Sequence, residues 1–62
     1  MIVGDIIRGK RKELGLSIRE LSESSGVSDR TLIYIENGMS PNISTLEKVL
    51  EPLNMEVVIR EK

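Results

Sequence analysis

Leu16-Ser17-Ile18-Arg19-Glu20-Leu21 and Val27-Ser28-Asp29-Arg30-Thr31-Leu32 decide how this chain folds, because each is a helix start. Ser17 can cap the amide of Glu20 while Glu20 reaches back to the Ser17 amide, which makes a capping box. Leu16 and Leu21 flank that box at hydrophobic-staple positions. In the second start Ser28 is the cap and Val27 with Leu32 the staple, with Thr31 where the return carboxylate would stand. Gly26 lies just before it, and glycine turns into a left-handed C-terminal cap without steric cost. The pattern predicts two short capped helices joined across one glycine.

Such a unit is a helix-turn-helix. Leu21, Val27, Leu32 and Ile35 would face the core, Ser22 is small where the two helices approach, and Glu36-Asn37-Gly38 ends the second helix at another glycine. At these residues the chain resembles the phage repressor/Cro-like, or Xre-type, helix-turn-helix family. The resemblance is carried by Leu16-Ser17-x-x-Glu20-Leu21, Gly26-Val27-Ser28, Thr31-Leu32-x-x-Ile35-Glu36-Asn37-Gly38, Pro41 and Thr45-Leu46, and covers about residues 3–50. A bare capped helix pair is a weak signal; this ordered set at fixed spacing is specific. It implies a mainly α, compact four-helix, lambda-repressor-like DNA-binding domain.

Outward from the pair, a first helix is expected over about residues 3–14, with Val3, Ile6, Ile7, Lys10, Arg11 and Leu14 on one side and Gly15 ending it. Gly4 and Gly9 would each weaken it by up to about 1 kcal/mol relative to alanine. The pair itself spans about 17–25 and 28–37. Asn42 caps a fourth helix over about 43–51 that carries Ile43, Leu46, Val49 and Leu50, and Pro52 ends or kinks it. Residues 1–53 thus form the helix-turn-helix domain and 54–62 a tail.

The tail departs from the common family pattern, which closes with a fifth helix. Met55, Val57 and Ile59 alternate with Glu56, Val58 and Arg60 in a β-branched run, which reads as a strand. With no second strand candidate in the chain, the expected partner is the same strand of another copy, paired antiparallel about a two-fold axis. That arrangement is similar to HipB-like antitoxins. The alternative is an extended tail lying on its own domain.

Composition bounds the rest. Sixty-two residues make one domain near the lower size for an unaided core, so oligomerisation is expected. Cysteine and histidine are absent, which excludes disulfides and thiolate or imidazole metal sites, and with them the nucleophile–base sets of most enzymes. No enzyme activity, cofactor or metal is expected. No apolar run reaches membrane-spanning length and no signal-peptide layout opens the chain, so a cytoplasmic location is the default expectation. The net charge of −1 is unhelpful for a DNA binder. Its distribution is better: five bases against two acids in residues 1–19, and four against eight in 20–62.

In the family the second helix of the pair enters the major groove. With Leu32 and Ile35 inward, its outward face would be Asp29, Arg30, Ile33 and Tyr34. Arg30 suits guanine O6 and N7, Ile33 a thymine methyl, Asp29 a cytosine amino group, and Tyr34 a phosphate or base. The bland alternatives are a surface pairing for Arg30, partial packing for Tyr34 and opposition to the helix dipole for Asp29. Ser17, Arg19, Ser28, Asn37, Ser40 and Lys10 are the phosphate candidates, with Ser28 at the helix tip. The family often carries glutamine where this chain has Ile18, so Arg19 is the substitute clamp. The resemblance also pairs Arg11 with Glu36, tying the first helix to the end of the reading helix. The favoured function is a dimeric, sequence-specific repressor on double-stranded DNA, including the antitoxin of a toxin pair. The alternative is a protein-interaction module that keeps the fold without DNA binding.

Overall fold

A computed structural model of the chain describes residues 3–61. Four helices follow one another: α1 (Val3–Glu13), α2 (Ile18–Ser25), α3 (Asp29–Glu36) and α4 (Ile43–Leu50), with a 3-10 turn over Glu51–Leu53. Each helix is shorter by a residue or more than its sequence pattern suggested, because the capping residues lie outside the helical backbone. Ser17, Ser28 and Asn42 are extended N-caps whose side chains accept from Glu20, Thr31 and Thr45 amides. α1 stops before Leu14, where the Leu16 amide folds back to the Arg11 carbonyl at 2.9 Å. Pro52 stands at the start of the 3-10 turn and ends α4 at Leu50.

Gly26 supplies the turn of the helix pair at φ 77°, donating to the Ser22 carbonyl. A side chain there would strain the backbone. Asn54 adopts the same left-handed region at φ 58°, and the Met55 amide returns to the Leu50 carbonyl at 3.1 Å. This bond reverses the chain after the 3-10 turn and starts the tail against the domain.

The core is built without phenylalanine or tryptophan. Ile7, Leu21, Leu32, Ile35, Val49 and Leu53 are fully buried, with Val27 and Leu50 nearly so. Leu53 completes this set from the 3-10 turn, whose inward residue a helical period does not locate. Ile43, by contrast, is 53% exposed: as the first residue of α4 it precedes the stripe of Val49 and Leu50 that meets the core. Leu14, beyond the end of α1, is also exposed.

Gly4 corrects a sequence-based expectation. It is buried, and a Cβ built on it would fall onto the Ile35 carbonyl oxygen and lie 2.9 Å from Glu36 Cα. Glycine at this position lets α1 cross the end of α3 backbone to backbone, so its cost in helix propensity is offset by packing. Gly9 has nothing within 4 Å and remains a plain weak point.

The tail, Met55 to Arg60, carries no strand among the described residues, since a strand is defined by its ladder and the tail pairs with no other segment of its own chain. Met55 and Val57 pack against the core cluster, while Glu56, Val58, Ile59 and Arg60 are exposed. Burial at every second residue is the pattern of an extended segment with one face inward. That face runs past its own domain at Ile59, which is 84% exposed.

Candidate nucleic-acid interface

α3 has two unlike faces. Its rear carries Leu32, Ile35 and Glu36, all buried. Its front carries Arg30, Ile33 and Tyr34, all exposed, with Ile33 and Tyr34 keeping 45% and 51% of their surface. The staples explain the split. Val27 and Leu32 fix the angle at which the chain enters α3, and the 3.6-residue period then turns positions 30, 33 and 34 outward.

The rear is fastened by a carboxylate between two guanidinium groups. Arg11 grips Glu36 with both faces of its fork, Nε to Oε2 at 2.8 Å and Nη2 to Oε1 at 2.9 Å, and its Nη1 donates to the Leu16 carbonyl at 2.9 Å. Arg8 donates from Nε to Glu36 Oε1 at 3.2 Å and from Nη2 to the Glu36 carbonyl at 2.8 Å. Burial pushes the Glu36 carboxyl up, but the hydrogen bonds from Arg11 and Arg8 and their charges outweigh it and hold the group below its ordinary value. The hydrogen bond to Glu36 likewise raises Arg11. Both partners stay charged in a place where an unpaired charge would be costly.

Arg8 was not among the residues singled out from the sequence. Gly4, Arg8 and Arg11 form a stripe at helical spacing along α1, and that stripe is the part of α1 laid on the end of α3. A glycine one turn before two arginines spaced three apart was the available signal.

The phosphate candidates fare unevenly. Ser17 Oγ accepts from the Glu20 amide at 3.0 Å, and the Ser17 amide is taken by Glu20 Oε1 at 2.9 Å. The Ser17 amide is therefore closed to a phosphate, and the Glu20 carboxylate adds negative charge beside it; the Ser17 hydroxyl proton remains. Ser28 donates its hydroxyl to Thr31 Oγ1 at 2.9 Å, which commits its donor within the cap. Lys10 lies 3.4 Å from Glu13 on α1. Arg19 Nε is 3.6 Å from Asp29 Oδ2, an exposed pair spanning α2 and α3. Such a pair is weak and opens readily, and while closed it covers the one acid on the front of α3. Asn37 turns its amide oxygen to Arg8 Nη2 at 3.4 Å, which leaves the amide NH2 to point away. Ser40 is exposed in the loop after α3.

The basic excess of residues 1–19 is thus largely internal. Arg8 and Arg11 serve Glu36, and Lys10 and Arg19 have acidic neighbours. Arg30 makes no ion pair among the described residues, which separates it from Arg19, the other arginine of the helix pair. Ile18, where a glutamine was expected from the family pattern, packs against the core cluster. It is a packing residue at the first position of α2, so the polar contact such a glutamine could make is absent here. Among the described residues no helix is long and apolar enough to cross a membrane, and no cluster of acidic side chains is arranged to hold a metal.

A helix-turn-helix family profile matches residues 7–58. The HTH-type transcriptional regulator SlrR of Bacillus subtilis is 41% identical over 58 residues, which is 90% of this chain and 38% of that protein. SinR of the same organism is 40% identical over 58 residues, covering 90% of this chain and 52% of SinR. An uncharacterized HTH-type transcriptional regulator of Methanothermobacter thermautotrophicus is 40% identical over 52 residues, 82% of this chain and 75% of that protein. The chain therefore spans about half or less of the two Bacillus regulators and most of the archaeal one. The capped pair, the bolted rear of α3 and these matches together place the chain in the Xre/Cro-like helix-turn-helix family.

Proposed function

We propose that this protein is a cytoplasmic, sequence-specific DNA-binding transcriptional repressor that acts as a homodimer on a palindromic operator. It is a binding protein, not an enzyme. α3 lies in the major groove, with Arg30, Ile33, Tyr34 and Asp29 toward base edges, and the bound dimer occludes a promoter. Arg19, Ser17, Asn37 and Ser40 hold the phosphates from the rim, with smaller parts for Ser28 and Lys10. The observation that carries this reading is the exposure of Arg30, Ile33 and Tyr34 on a helix whose opposite face is locked to α1. A rigid, outward-facing helix is what base reading requires, since a loose one would blur its contacts.

Binding to random-sequence duplex between about 50 and 200 mM salt tests the reading. A DNA binder shows an affinity that falls with a slope of several charges, and selection from random duplexes then gives the operator. The rival reading, an interaction module without DNA binding, is favoured by the net charge of −1 and by the pairing of most N-terminal cations. It expects no salt-dependent binding.

The dimer rests on the tail. Antiparallel pairing centred on Val58 sets Glu56 opposite Arg60 of the partner subunit, and Ile59 beside Val57 of the partner subunit. Ile59 then covers apolar surface around Val3, Ile6, Leu46 and Met55, which line a groove of about 210 Å³. The double substitution Val58→Lys, Ile59→Lys changes residues that are exposed in the single chain and outside its core cluster, so it should spare the fold. It should give a folded monomer by sedimentation with strongly weakened operator binding; an unchanged dimer would move the interface elsewhere. The likeness of the tail to HipB-like antitoxins extends the reading to an antitoxin with a toxin protein as second partner. Relief of growth arrest by co-expression with the product of the adjacent gene tests that extension.

A further inference from the structure

Asp29 is out of place on a surface meant for phosphates. It is the first residue of α3, and its ion-pair partner is Arg19 in the first turn of α2, with Nε 3.6 Å from Oδ2. The two side chains differ in freedom. Asp29 is short, and the positive end of the α3 dipole favours a carboxylate there. Arg19 is long and its side chain is 74% exposed, so the carboxylate is the fixed member and the guanidinium the one it places. Contact through Nε leaves Nη1 and Nη2 uncommitted among the described residues. A guanidinium fork has donors enough for a carboxylate on one side and a phosphate on the other. Ile18, beside Arg19, packs against the core cluster and has no polar group to do the same.

The geometry points to Asp29 as a positioning residue for DNA binding, one that holds Arg19 by Nε and so presents Nη1 and Nη2 to a backbone phosphate beside α3. The inference rests on the DNA-binding reading above and deepens it: Asp29, counted there with the base-facing residues, acts on the phosphate backbone through Arg19. Its sign is the reverse of simple electrostatics. A lone carboxylate repels phosphate, but this one faces a guanidinium, and the phosphate meets the guanidinium first. A duplex laid over the pair excludes water and strengthens both contacts. An arginine already held also loses less freedom on binding than one that samples every rotamer.

The test uses the full chain and random-sequence duplex, on which backbone contacts are read without base preference. Asp29→Asn keeps the shape of the side chain and leaves Ser28 as the cap, so helicity by circular dichroism should be unchanged. It should weaken binding about two- to five-fold, although it makes the chain one charge more positive. In the Arg19→Ala background the same substitution should no longer weaken binding, because only repulsion of phosphate is removed. Arg19→Lys keeps the charge but offers one ammonium in place of the fork. It should bind more weakly than the wild type, and Asp29→Asn should not weaken it further. Unchanged or tighter binding by Asp29→Asn alone would overturn the inference, since the pair would then be idle or would withhold Arg19 from DNA. A loss of the same size with and without Arg19 would also overturn it, by setting Asp29 directly against the duplex. Failure of the wild type to bind any duplex would instead remove the DNA-binding reading along with it.

Discussion

The two faces of α3 differ in almost every physical respect although they belong to the same eight residues. The rear face is dry, charged at one point and over-determined: a glycine contact, two fully buried aliphatic side chains and a three-membered ion cluster converge there. The front is wet, has a single unpaired cation and makes few contacts of its own. The stability of the domain and the chemistry of its proposed readout are thereby placed on opposite sides of one helix. Changes at the rear should unfold the domain, and changes at the front should leave folding alone and alter binding.

Glu36→Ala should produce the largest effect, about 3–5 kcal/mol of destabilisation in chemical denaturation, because it leaves the nearly buried Arg11 charge without its partner. Arg11→Ala should cost less, since Arg8 still holds the carboxylate. The double substitution Arg11→Ala, Glu36→Ala should lose less than the sum of the singles. Additive losses would show that the rear clamp does not act as a unit.

The two glycines of α1 sharpen the comparison within one helix. Gly4→Ala should destabilise by about 1–3 kcal/mol, because its Cβ meets backbone that cannot yield without shifting α1 off α3. Gly9→Ala points into open space and should stabilise by up to about 1 kcal/mol. Equal effects at the two positions would contradict the close crossing.

Acid should weaken the rear through Glu36. The Glu36 carboxyl is held below its ordinary 4.5, so its stabilising contribution is fully present above that value and is lost as the pH falls through the lower folded-state value. The stability difference between the wild type and Glu36→Gln should therefore be constant near neutrality and close toward zero in strong acid. A difference that persisted there would mean the clamp is not electrostatic. The smallest effect belongs to the front: Tyr34→Ala, half exposed, should change stability by less than about 0.5 kcal/mol.

Much of the rear and of the frame was legible in the sequence because it is written in local chemistry. Caps, staples and Gly26 act over four or five residues, so Ser17, Ser28, Asn42 and their partners could be placed from spacing alone. Leu21, Val27, Leu32 and Ile35 followed from helical period. What escaped depends on contacts between distant segments. Gly4 looked like a defect until α3 lay across it, and Arg8 drew no notice until Glu36 was found between it and Arg11. Leu53 escaped because a 3-10 turn does not follow the period used to find core residues. The front face was legible only by subtraction, as whatever the inward residues left over. The committed hydroxyl of Ser28 and the Arg19–Asp29 pair show how little local sequence says about which polar atoms are free.

The central claim is that the front of α3 reads bases while the rim beside it holds phosphates. Arg30→Ala and Arg19→Ala, measured side by side on the selected operator and on random duplex, test it most directly. Arg30→Ala should cost about 1–3 kcal/mol on the operator, little on random DNA, and relax preference at one base pair per half-site. Arg19→Ala should weaken both duplexes alike and lower the salt slope by about one. Equal losses on operator and random DNA for Arg30→Ala would contradict the account and reduce α3 to one more surface that grips the backbone.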